Sequence, residues 1–271
     1  MNAANRNGKN VAALIIDLDG VIWRGDLLLP GVNQFIETMR NRSIPYLFAT
    51  NNATATPQGF CEKSRILGLD MKPEEVITSS DATASILSEK LPSGAIVYVI
   101  GEQGIRQALQ EASFHITHSA DKAQAVVVGL DRDVNWEKLA EAAYAINNGA
   151  LFIGTNPDHS IPTERGMAPG NGALLRALEV TTGVSPFVVG KPQPYLYLEA
   201  LERLGSPAEK TLVLGDRLDT DILGGIRAGT PTALVLTGAT TREDLPESKI
   251  KPDFLFNDLD DLVHQLWGAA S

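Results

Sequence analysis

Two aspartates, Asp17 and Asp19, follow an apolar run of strand length and stand just before a glycine, Gly20. Side chains two positions apart on a strand point to the same face, so both carboxylates can reach one pocket at the end of that strand. Two carboxylates this close repel each other unless a cation lies between them. Mg²⁺ prefers such oxygen ligands and keeps water ligands that a phosphate can replace. The pair therefore suggests chemistry at phosphorus, with a metal-bound Asp17 as the nucleophile and Asp19 as the general acid and base.

Taken alone, the pair fits a second interpretation equally well, an Asp-Gly turn that only closes a buried strand. A calcium-binding loop of the EF-hand type is excluded, because Val21 and Trp23 occupy positions that would need oxygen ligands. The choice between a turn and a catalytic pair depends on whether the rest of the chain supplies partners for a phosphate.

Composition limits the class of protein and the kinds of partner. The chain has 271 residues, a formal net charge of −10 and a single cysteine, Cys61. At roughly 150 residues per domain, this length allows two domains with a sizeable core. The acidic balance disfavours nucleic-acid backbones, and no apolar stretch approaches the roughly 18 residues of a membrane span. A lone cysteine fits a reducing compartment. We therefore expect a cytoplasmic protein with no nucleic-acid or membrane partner, whose polar residues 1–10 form a disordered tail.

After that tail, apolar runs of strand length alternate with helical patterns. The expected strands lie at 11–17, 46–49, 76–78, 187–189, 211–214, 231–236 and 254–256, and in a second series at 96–100, 114–117, 125–129 and 151–154. Strands separated by helices at this spacing predict an α/β fold with a parallel, doubly wound sheet. The second series lies within the first and predicts a smaller α/β sheet of its own.

Two local elements near the start of the chain are also expected. Residues 23–29 indicate a short hairpin that turns at Gly25 and Asp26. Residues 31–40 indicate a helix with one apolar face. That face carries Val32, Phe35, Ile36 and Met39. Residues 155–170 are rich in proline and glycine, and we expect a loop there.

Four of the expected strands end in polar residues. They are Asp17 and Asp19, then Thr50, Asn51 and Asn52, then Lys191, and finally Asp216 and Asp221. Ligands of open parallel sheets bind outside the carboxyl ends of the strands, so the four ends can converge. Phosphoryl transfer requires hydroxyl and amide donors for phosphate oxygens, a cation for the developing charge, and carboxylates for a metal. Each end also has a plain structural interpretation as a cap, a solvated turn or a helix start, where acids are favoured. Their joint occurrence, each behind a buried strand, favours one site.

Together these residues resemble the four motifs of the haloacid dehalogenase-like (HAD) phosphatases. The motifs are Asp17-Leu18-Asp19-Gly20-Val21, Thr50-Asn51-Asn52, Lys191-Pro192 and Gly215-Asp216-Arg217-Leu218-Asp219-Thr220-Asp221. The chain is most similar to capped subgroup IIA, which includes 4-nitrophenylphosphatases, the N-acetylglucosamine-operon phosphatase and phosphoglycolate phosphatases. The resemblance implies a Mg²⁺-dependent phosphatase that hydrolyses small-molecule phosphomonoesters. It also implies a Rossmann-like HAD core with a smaller inserted α/β cap domain.

The resemblance assigns catalytic and metal-binding roles to four aspartates. Asp17 would form an aspartyl-phosphate and would also bind Mg²⁺. Asp19 would be the general acid and base, with its backbone carbonyl on the metal. Asp216 would ligate the metal, and Asp221 would ligate it or support its water molecules.

The resemblance assigns phosphate binding to the other two motifs. Thr50, Asn51 and Asn52 would hold the transferring phosphate. Lys191 would bridge that phosphate and the carboxylate of Asp17.

A cap domain of type C2 is inserted between the second and third motifs in this subgroup. Here Asn52 and Lys191 are well over one hundred positions apart, whereas a simple crossover needs only about 10–12 residues. We therefore expect residues 83–183 to form the cap, and residues 11–82 and 184–271 to form the catalytic core. Caps of this subgroup often mediate dimers, so the prediction allows a homodimer through the cap.

Cap loops set the choice of substrate in this subgroup. The loop that follows the strand ending at Gly129 is the first candidate here, and it contains Asp131, Arg132 and Asp133. Weaker candidates are Asn156, Asp158, His159 and Arg165.

Two other functions remain open at this point. A mutase-like phosphotransferase would pass the phosphate from Asp17 to a second sugar hydroxyl, and a non-catalytic sensor would bind a metabolite without turnover. Asp19 argues against the sensor, because binding alone needs no acid or base. The glycine-rich segments lack the full dinucleotide fingerprint, and no Gly-Lys-Ser/Thr phosphate loop is present. A nucleotide cofactor and ATP-driven chemistry are therefore not expected.

Overall fold

A computed structural model describes residues 11–268, so the tail expected at residues 1–10 lies outside the described part of the chain. By their internal contacts, the described residues form two compact units. The first unit consists of residues 11–50, 61–77 and 197–268, and the second of residues 51–60 and 78–196. No helix in the described range combines the length and apolar character that crossing a membrane requires.

The elements are numbered along the chain. The strands between residues 11 and 268 are β1 (Ala13–Ile16), β2 (Trp23–Arg24), β3 (Leu27–Leu28), β4 (Tyr46–Thr50), β5 (Val76–Thr78), β6 (Ile96–Ile100), β7 (His115–Thr117), β8 (Ala125–Val128), β9 (Leu151–Gly154), β10 (Ser160–Thr163), β11 (Gly166–Pro169), β12 (Phe187–Val188), β13 (Thr211–Gly215), β14 (Thr232–Val235) and β15 (Phe254–Phe256). The α-helices in the same range are α1 (Val32–Asn41), α2 (Pro57–Ile66), α3 (Ser79–Lys90), α4 (Gln103–Glu111), α5 (Trp136–Asn147), α6 (Asn171–Thr182), α7 (Tyr195–Leu204), α8 (Leu223–Ala228) and α9 (Leu259–Trp267).

A six-stranded sheet with the order β15-β14-β13-β1-β4-β5 forms the centre of the first unit. β1 pairs in parallel with both β13 and β4, and β14 pairs in parallel with β13 and β15. The chain leaves β1 toward β4 on one side and returns to β13 on the other, so β1 lies where the strand order reverses. Ligands of such sheets bind at the carboxyl ends of the strands at this point. The predicted parallel, doubly wound sheet is confirmed.

The helices of the first unit cover this sheet with apolar faces. The helix predicted at residues 31–40 is α1, and all four residues of its predicted apolar face are buried. α9 buries a similar face and packs against α1. The hairpin predicted at residues 23–29 is also present, as the antiparallel pair β2 and β3.

The second unit contains a five-stranded parallel sheet with the order β12-β9-β8-β6-β7. All four residues of β8 are buried, which is typical of a strand with helices on both faces. The smaller α/β sheet predicted from the second series of strands is therefore confirmed.

The expectation of a loop over residues 155–170 is partly wrong. Ser160–Thr163 and Gly166–Pro169 pair there as the antiparallel hairpin β10 and β11. Pro162 and Pro169 explain why the sequence did not predict the hairpin, because proline is depleted in strands and lacks the backbone N–H donor. A two-stranded ribbon tolerates it, because each strand has one unpaired edge.

Candidate active site

Three carboxylates of the first unit come together at the carboxyl ends of two neighbouring strands. Asp17, Asp216 and Asp221 each offer one oxygen, and these oxygens lie within 4.8 Å of one another. Asp17 follows β1, and Asp216 follows β13, whose residues pair with those of β1 in register. Asp221 lies in the helical turn Leu218–Ile222 that begins just after β13. The structure thus brings three of the predicted site residues together; we call them the acidic cluster.

The acidic cluster has the donor chemistry of a Mg²⁺ or Ca²⁺ site. Asp216 and Asp221 are only 3% and 1% exposed, and Asp17 is half-buried. Charged carboxylates this close and this far from water are unfavourable unless a cation offsets their repulsion. All the donors are carboxylate oxygens, which suit hard cations rather than metals that prefer sulfur. The residues present therefore fit the metal that the sequence predicts.

Glycines leave the space that the acidic cluster occupies. A Cβ atom at Gly20 would lie 2.4 Å from Oδ2 of Asp216, and one at Gly238 would lie 1.8 Å from the same oxygen. Gly20 also has a φ of +89°, a conformation that favours glycine. The backbone N–H of Ala239 donates to that Oδ2 at 2.5 Å. The segments after β1 and β14 therefore enclose and orient the carboxylate of Asp216.

The helical turn after β13 sorts its acids into two environments. Oδ2 of Asp221 accepts a hydrogen bond from the backbone N–H of Arg217 at 3.1 Å. Asp219 is exposed and is not part of the acidic cluster, and Arg217 donates to its two oxygens from Nε and Nη2. These hydrogen bonds lower the pKa of Asp219 below its ordinary value. Asp219 is thus an exposed ion-pair partner, whereas Asp216 and Asp221 face the cluster.

Asp19 stands apart from the acidic cluster. Its side chain is exposed, and Oδ1 accepts a hydrogen bond from Nε1 of Trp23 at 3.0 Å. This contact of Trp23 with Asp19 was not predicted from the sequence. The signal in the sequence was a tryptophan four positions after an acid, because a tryptophan N–H needs an acceptor when it is buried.

Asn51 and Lys191, which the sequence assigns to phosphate binding, meet within the second unit. Oδ1 of Asn51 accepts from the backbone N–H of Lys191 at 2.7 Å, and Nδ2 donates to the carbonyl of Lys191 at 3.0 Å. Nδ2 also lies 3.3 Å from Oδ2 of Asp158. The amide of Asn51 is therefore engaged with the backbone of Lys191, so any contact of Asn51 with phosphate would fall to its backbone N–H.

The remaining residues of these two motifs have distinct environments. Thr50 is buried at the end of β4 in the first unit. Oδ1 of Asn52 accepts from the backbone N–H and the hydroxyl of Thr54, at 2.9 and 2.7 Å, in an Asx turn. Lys191 is only 2% exposed, and a buried ammonium is stable only near negative charge or several acceptors.

Two residues of the loop predicted to select the substrate have structural partners in the second unit. Asp131 is buried, and its Oδ2 pairs with Nζ of Lys138 at 2.8 Å. Arg132 donates from Nη1 to both carboxylate oxygens of Glu102, at 2.9 and 2.8 Å. Asp133 is exposed. The role of this loop in substrate choice stays a prediction.

The weaker candidates of the second unit fall into two groups. Asn156 donates from Nδ2 to the backbone carbonyl of Asn51, and Asp158 accepts at Oδ2 from the side-chain amide of Asn51. His159 and Arg165 are exposed on the hairpin segment. Asn171 was missed: it is buried and donates to the carbonyls of Val128 and Asn156, at 3.1 and 2.8 Å. In the sequence, Asn171 could have been noticed only as a polar residue directly after the glycine that precedes α6.

Comparison with known proteins gives matches along most of the chain. Residues 14–115 match a family model described as haloacid dehalogenase-like hydrolase, and residues 188–262 match a HAD-hydrolase-like model. An acid sugar phosphatase from Staphylococcus aureus (strain USA300) is 45% identical over 258 residues, which is 95% of this chain and 99% of that protein.

Solved structures are similar over nearly the same range. A double mutant of a thermostable NPPase from Geobacillus stearothermophilus has a TM-score of 0.86 and 43% identity, covering 93% of this chain and 98% of its own. A glycerol phosphate phosphatase from Mycobacterium tuberculosis, solved in complex with magnesium, has a TM-score of 0.88 and 38% identity, covering 94% of this chain and 77% of its own.

Proposed function

Because this chain belongs to the haloacid dehalogenase-like hydrolase family, we propose that it is a Mg²⁺-dependent phosphatase that forms an aspartyl-phosphate on Asp17. The chain is a phosphoric monoester hydrolase for small phosphate substrates, as its relatives are. The proposal adds that the reaction needs Mg²⁺ and that it passes through a covalent intermediate. The observation that carries them is the acidic cluster, with three carboxylate oxygens within 4.8 Å of one another.

The metal would be held by Asp17, Asp216 and Asp221, with the backbone carbonyl of Asp19 as a further ligand. When bound, Mg²⁺ offsets the charge of the carboxylates and of the phosphate and orients the phosphate for in-line attack. The magnesium complex of the glycerol phosphate phosphatase supports this choice of metal.

The proposed reaction has two steps, and Asp19 acts in both. In the first, a carboxylate oxygen of Asp17 attacks phosphorus, the ester P–O bond breaks, and Asp19 gives its proton to the leaving oxygen. In the second, water attacks phosphorus, Asp19 takes the proton of that water, and inorganic phosphate leaves Asp17. General acid–base catalysis of this kind contributes about 10²–10⁴-fold to the rate.

The groups proposed to bind the phosphate are the hydroxyl of Thr50, the backbone N–H groups of Asn51 and Asn52, and the ammonium of Lys191. The burial of Lys191 supports its part, since a desolvated cation interacts strongly with an anionic phosphate. Residues 11–82 and 184–271 as the catalytic core, with residues 83–183 as the cap, remain part of the proposal. A cytoplasmic location and a homodimer through the cap also stay predictions.

Of the two alternative functions that the sequence left open, we keep only the phosphotransferase. The sensor is not retained, because the relatives that match nearly the whole chain are phosphatases. A mutase-like phosphotransferase uses the same first step and differs only in the acceptor of the second. Product analysis separates the two, since hydrolysis accumulates inorganic phosphate and a mutase accumulates an isomeric phosphosugar.

Phosphate release from 4-nitrophenyl phosphate and from a sugar phosphate tests the proposal. We expect turnover with MgCl₂, none after removal of the metal with EDTA, and none in Asp17→Asn, which keeps the size of the side chain but lacks the nucleophilic carboxylate. Retained turnover in Asp17→Asn, or full activity in EDTA, would contradict it.

A further inference from the structure

We propose that Trp23 is a positioning residue for Asp19, and that its indole N–H holds the carboxylate in the orientation for proton transfer to the leaving oxygen. The inference rests on the proposed role of Asp19 as general acid and base. Nε1 of Trp23 lies 3.0 Å from Oδ1 of Asp19. This contact lies entirely within the first unit.

The backbone between the two residues is folded tightly enough to fix their side chains against each other. The backbone N–H groups of Val21, Ile22 and Trp23 all reach the carbonyl of Leu18, at 3.3, 2.9 and 3.2 Å. The N–H of Gly20 donates in return to the carbonyl of Trp23 at 2.7 Å. An isolated bridge joins Asp19 and Trp23. The turn itself therefore brings the indole and the carboxylate together.

The two partners differ in their freedom to move. Trp23 is 1% exposed and is among the largest fully buried side chains of the described residues, whereas Asp19 is exposed. An exposed carboxylate can exchange among staggered rotamers, and a hydrogen bond to a buried ring restricts that exchange. Trp23 is thus the fixed partner, and the orientation of Asp19 depends on it.

The indole has suitable chemistry for this role. Nε1–H of tryptophan is a donor only, so it can orient a carboxyl group without taking its proton. The indole N–H contacts Oδ1 of Asp19 whether the carboxyl group is ionised or protonated. Oδ2 is then the oxygen that gives and takes the proton. Nζ of Lys63 lies 5.0 Å from the centroid of the ring. A cation over the ring face is attracted to its π electrons, and it withdraws electron density from the indole and strengthens the N–H as a donor.

A merely structural reading also exists: Asp19 could serve only to satisfy the N–H of a buried indole. The two readings differ in how the rate depends on the leaving group. 4-Nitrophenolate departs with little help from an acid, whereas the alkoxide from glycerol phosphate must be protonated as it leaves. A residue that positions the acid therefore affects alkyl esters more than 4-nitrophenyl phosphate, whereas lost stability affects both substrates alike.

The experiment compares kcat/KM for 4-nitrophenyl phosphate and for glycerol phosphate, because kcat/KM reports the reaction up to departure of the leaving group. In Trp23→Phe, which keeps a buried ring but lacks the N–H, we expect at least about a 10-fold loss for glycerol phosphate, a fraction of the whole acid–base contribution. For 4-nitrophenyl phosphate we expect a loss of no more than about 3-fold, since its first step needs little acid. Phe35→Leu is the matched control, a buried aromatic on α1 of the same unit, and should leave the ratio of the two substrates at the wild-type value.

Two further variants keep the test decisive. Replacement of Trp23 by benzothienylalanine retains the bicyclic ring but puts sulfur in place of the N–H, so it addresses the hydrogen bond even if the phenylalanine variant does not fold. A wild-type substrate ratio in this protein would overturn the proposal. Asp19→Asn serves as the reference for complete loss of the acid. If Asp19→Asn itself shows no dependence on the leaving group, the proposed role of Asp19 fails rather than the positioning role of Trp23.

Discussion

The carboxylates of Asp17, Asp216 and Asp221 are the groups whose arrangement most needs a cation. Their oxygens lie within 4.8 Å of one another, and two of the three side chains are buried. Like charges at this separation in a region of low dielectric repel strongly, so a bound cation would stabilise the arrangement. The affinity of these three carboxylates for Mg²⁺ can therefore be measured without a substrate.

Asp216→Asn should weaken the binding of Mg²⁺ by at least about 10-fold, because it removes one of three carboxylate ligands and loss of even an outer partner typically costs that much. Isothermal titration calorimetry with MgCl₂ alone measures the affinity. Asp219→Asn is the matched control, since it removes the same charge three positions further along the chain, at an exposed side chain paired with Arg217. Equal losses in the two variants would mean that net charge, and not coordination, determines the affinity.

The residue types of the site could be predicted from the sequence, but the contacts that separate one acid from the next could not. The segment from Asp216 to Asp221 holds three acids, and Asp216 and Asp221 were selected from the sequence without a physical reason for the exclusion of Asp219. The answer depends on the irregular helical turn at Leu218–Ile222 and on Arg217, which pairs with Asp219. Asn51 is a second example. Its assignment to phosphate stays a prediction, but nothing in the sequence indicated that its side-chain amide binds the backbone of Lys191, a residue remote in the chain.

At the scale of the element, α9 shows how local hydrogen bonds make stability depend on pH. Oδ1 of Asp258 accepts from the backbone N–H of Asp261 at 2.8 Å, and Oδ2 of Asp261 accepts from the backbone N–H of Asn257 at 2.9 Å. Asp258 therefore caps the N-terminus of α9, and Asp261 holds the residue that precedes the cap. Two hydrogen bonds hold the pKa of Asp261 below its ordinary value. The larger effect comes from the backbone N–H of Asn257, and the next from the side chain of Gln265.

The lowered pKa of Asp261 fixes the direction of the pH effect. A carboxyl group whose pKa is lower in the folded chain adds stability that is fully present above its unfolded pKa, about 3.9 for an aspartate. That stability is lost as the pH falls through the lower folded value. Acidification below about pH 4 should therefore weaken the attachment of α9.

Asp258→Ala should lower the free energy of unfolding by about 1 kcal/mol, because it removes the side chain that caps α9. Urea denaturation at neutral pH measures the change. His264→Ala, at an exposed position on the same helix, should stay within about 0.5 kcal/mol of the parent chain. A change in Asp258→Ala no larger than that of the control would show that the cap contributes little.

Long apolar elements were predictable, and short proline-containing ones were not. The apolar face of α1 follows directly from the spacing of its four apolar residues, and all four are buried. The β10–β11 hairpin has no such pattern, since Pro162 and Pro169 interrupt the alternation that marks a strand. Pairing with a neighbouring strand, rather than local preference, determines its structure.

At the scale of the whole molecule, the order of the strands creates the acidic cluster. β1 and β13 are neighbours in the six-stranded sheet, although nearly two hundred residues separate them in the chain. The sequence predicts parallel strands, because helices alternate with them. It does not specify which strand lies beside β1, since a crossover helix can place the next strand on either side. The convergence of Asp17 and Asp216 was therefore a hypothesis from residue types, and the structure supports it.

In the proposed reaction, Asp17 carries the phosphoryl group between the two steps. Asp19→Asn should slow the second step by removing its general base, whereas 4-nitrophenolate still departs in the first. The variant should therefore accumulate phosphate on the protein when it is mixed with 4-nitrophenyl phosphate and MgCl₂.

The most direct measurement is a rapid quench of that mixture, reduction with borohydride, and mass spectrometry of the peptide that contains residue 17. Borohydride converts an aspartyl-phosphate to homoserine, so we expect homoserine at position 17, together with a burst of one 4-nitrophenolate per chain and neither signal in EDTA. Homoserine or phosphate at another residue, or steady release of 4-nitrophenolate without any covalent adduct, would contradict it.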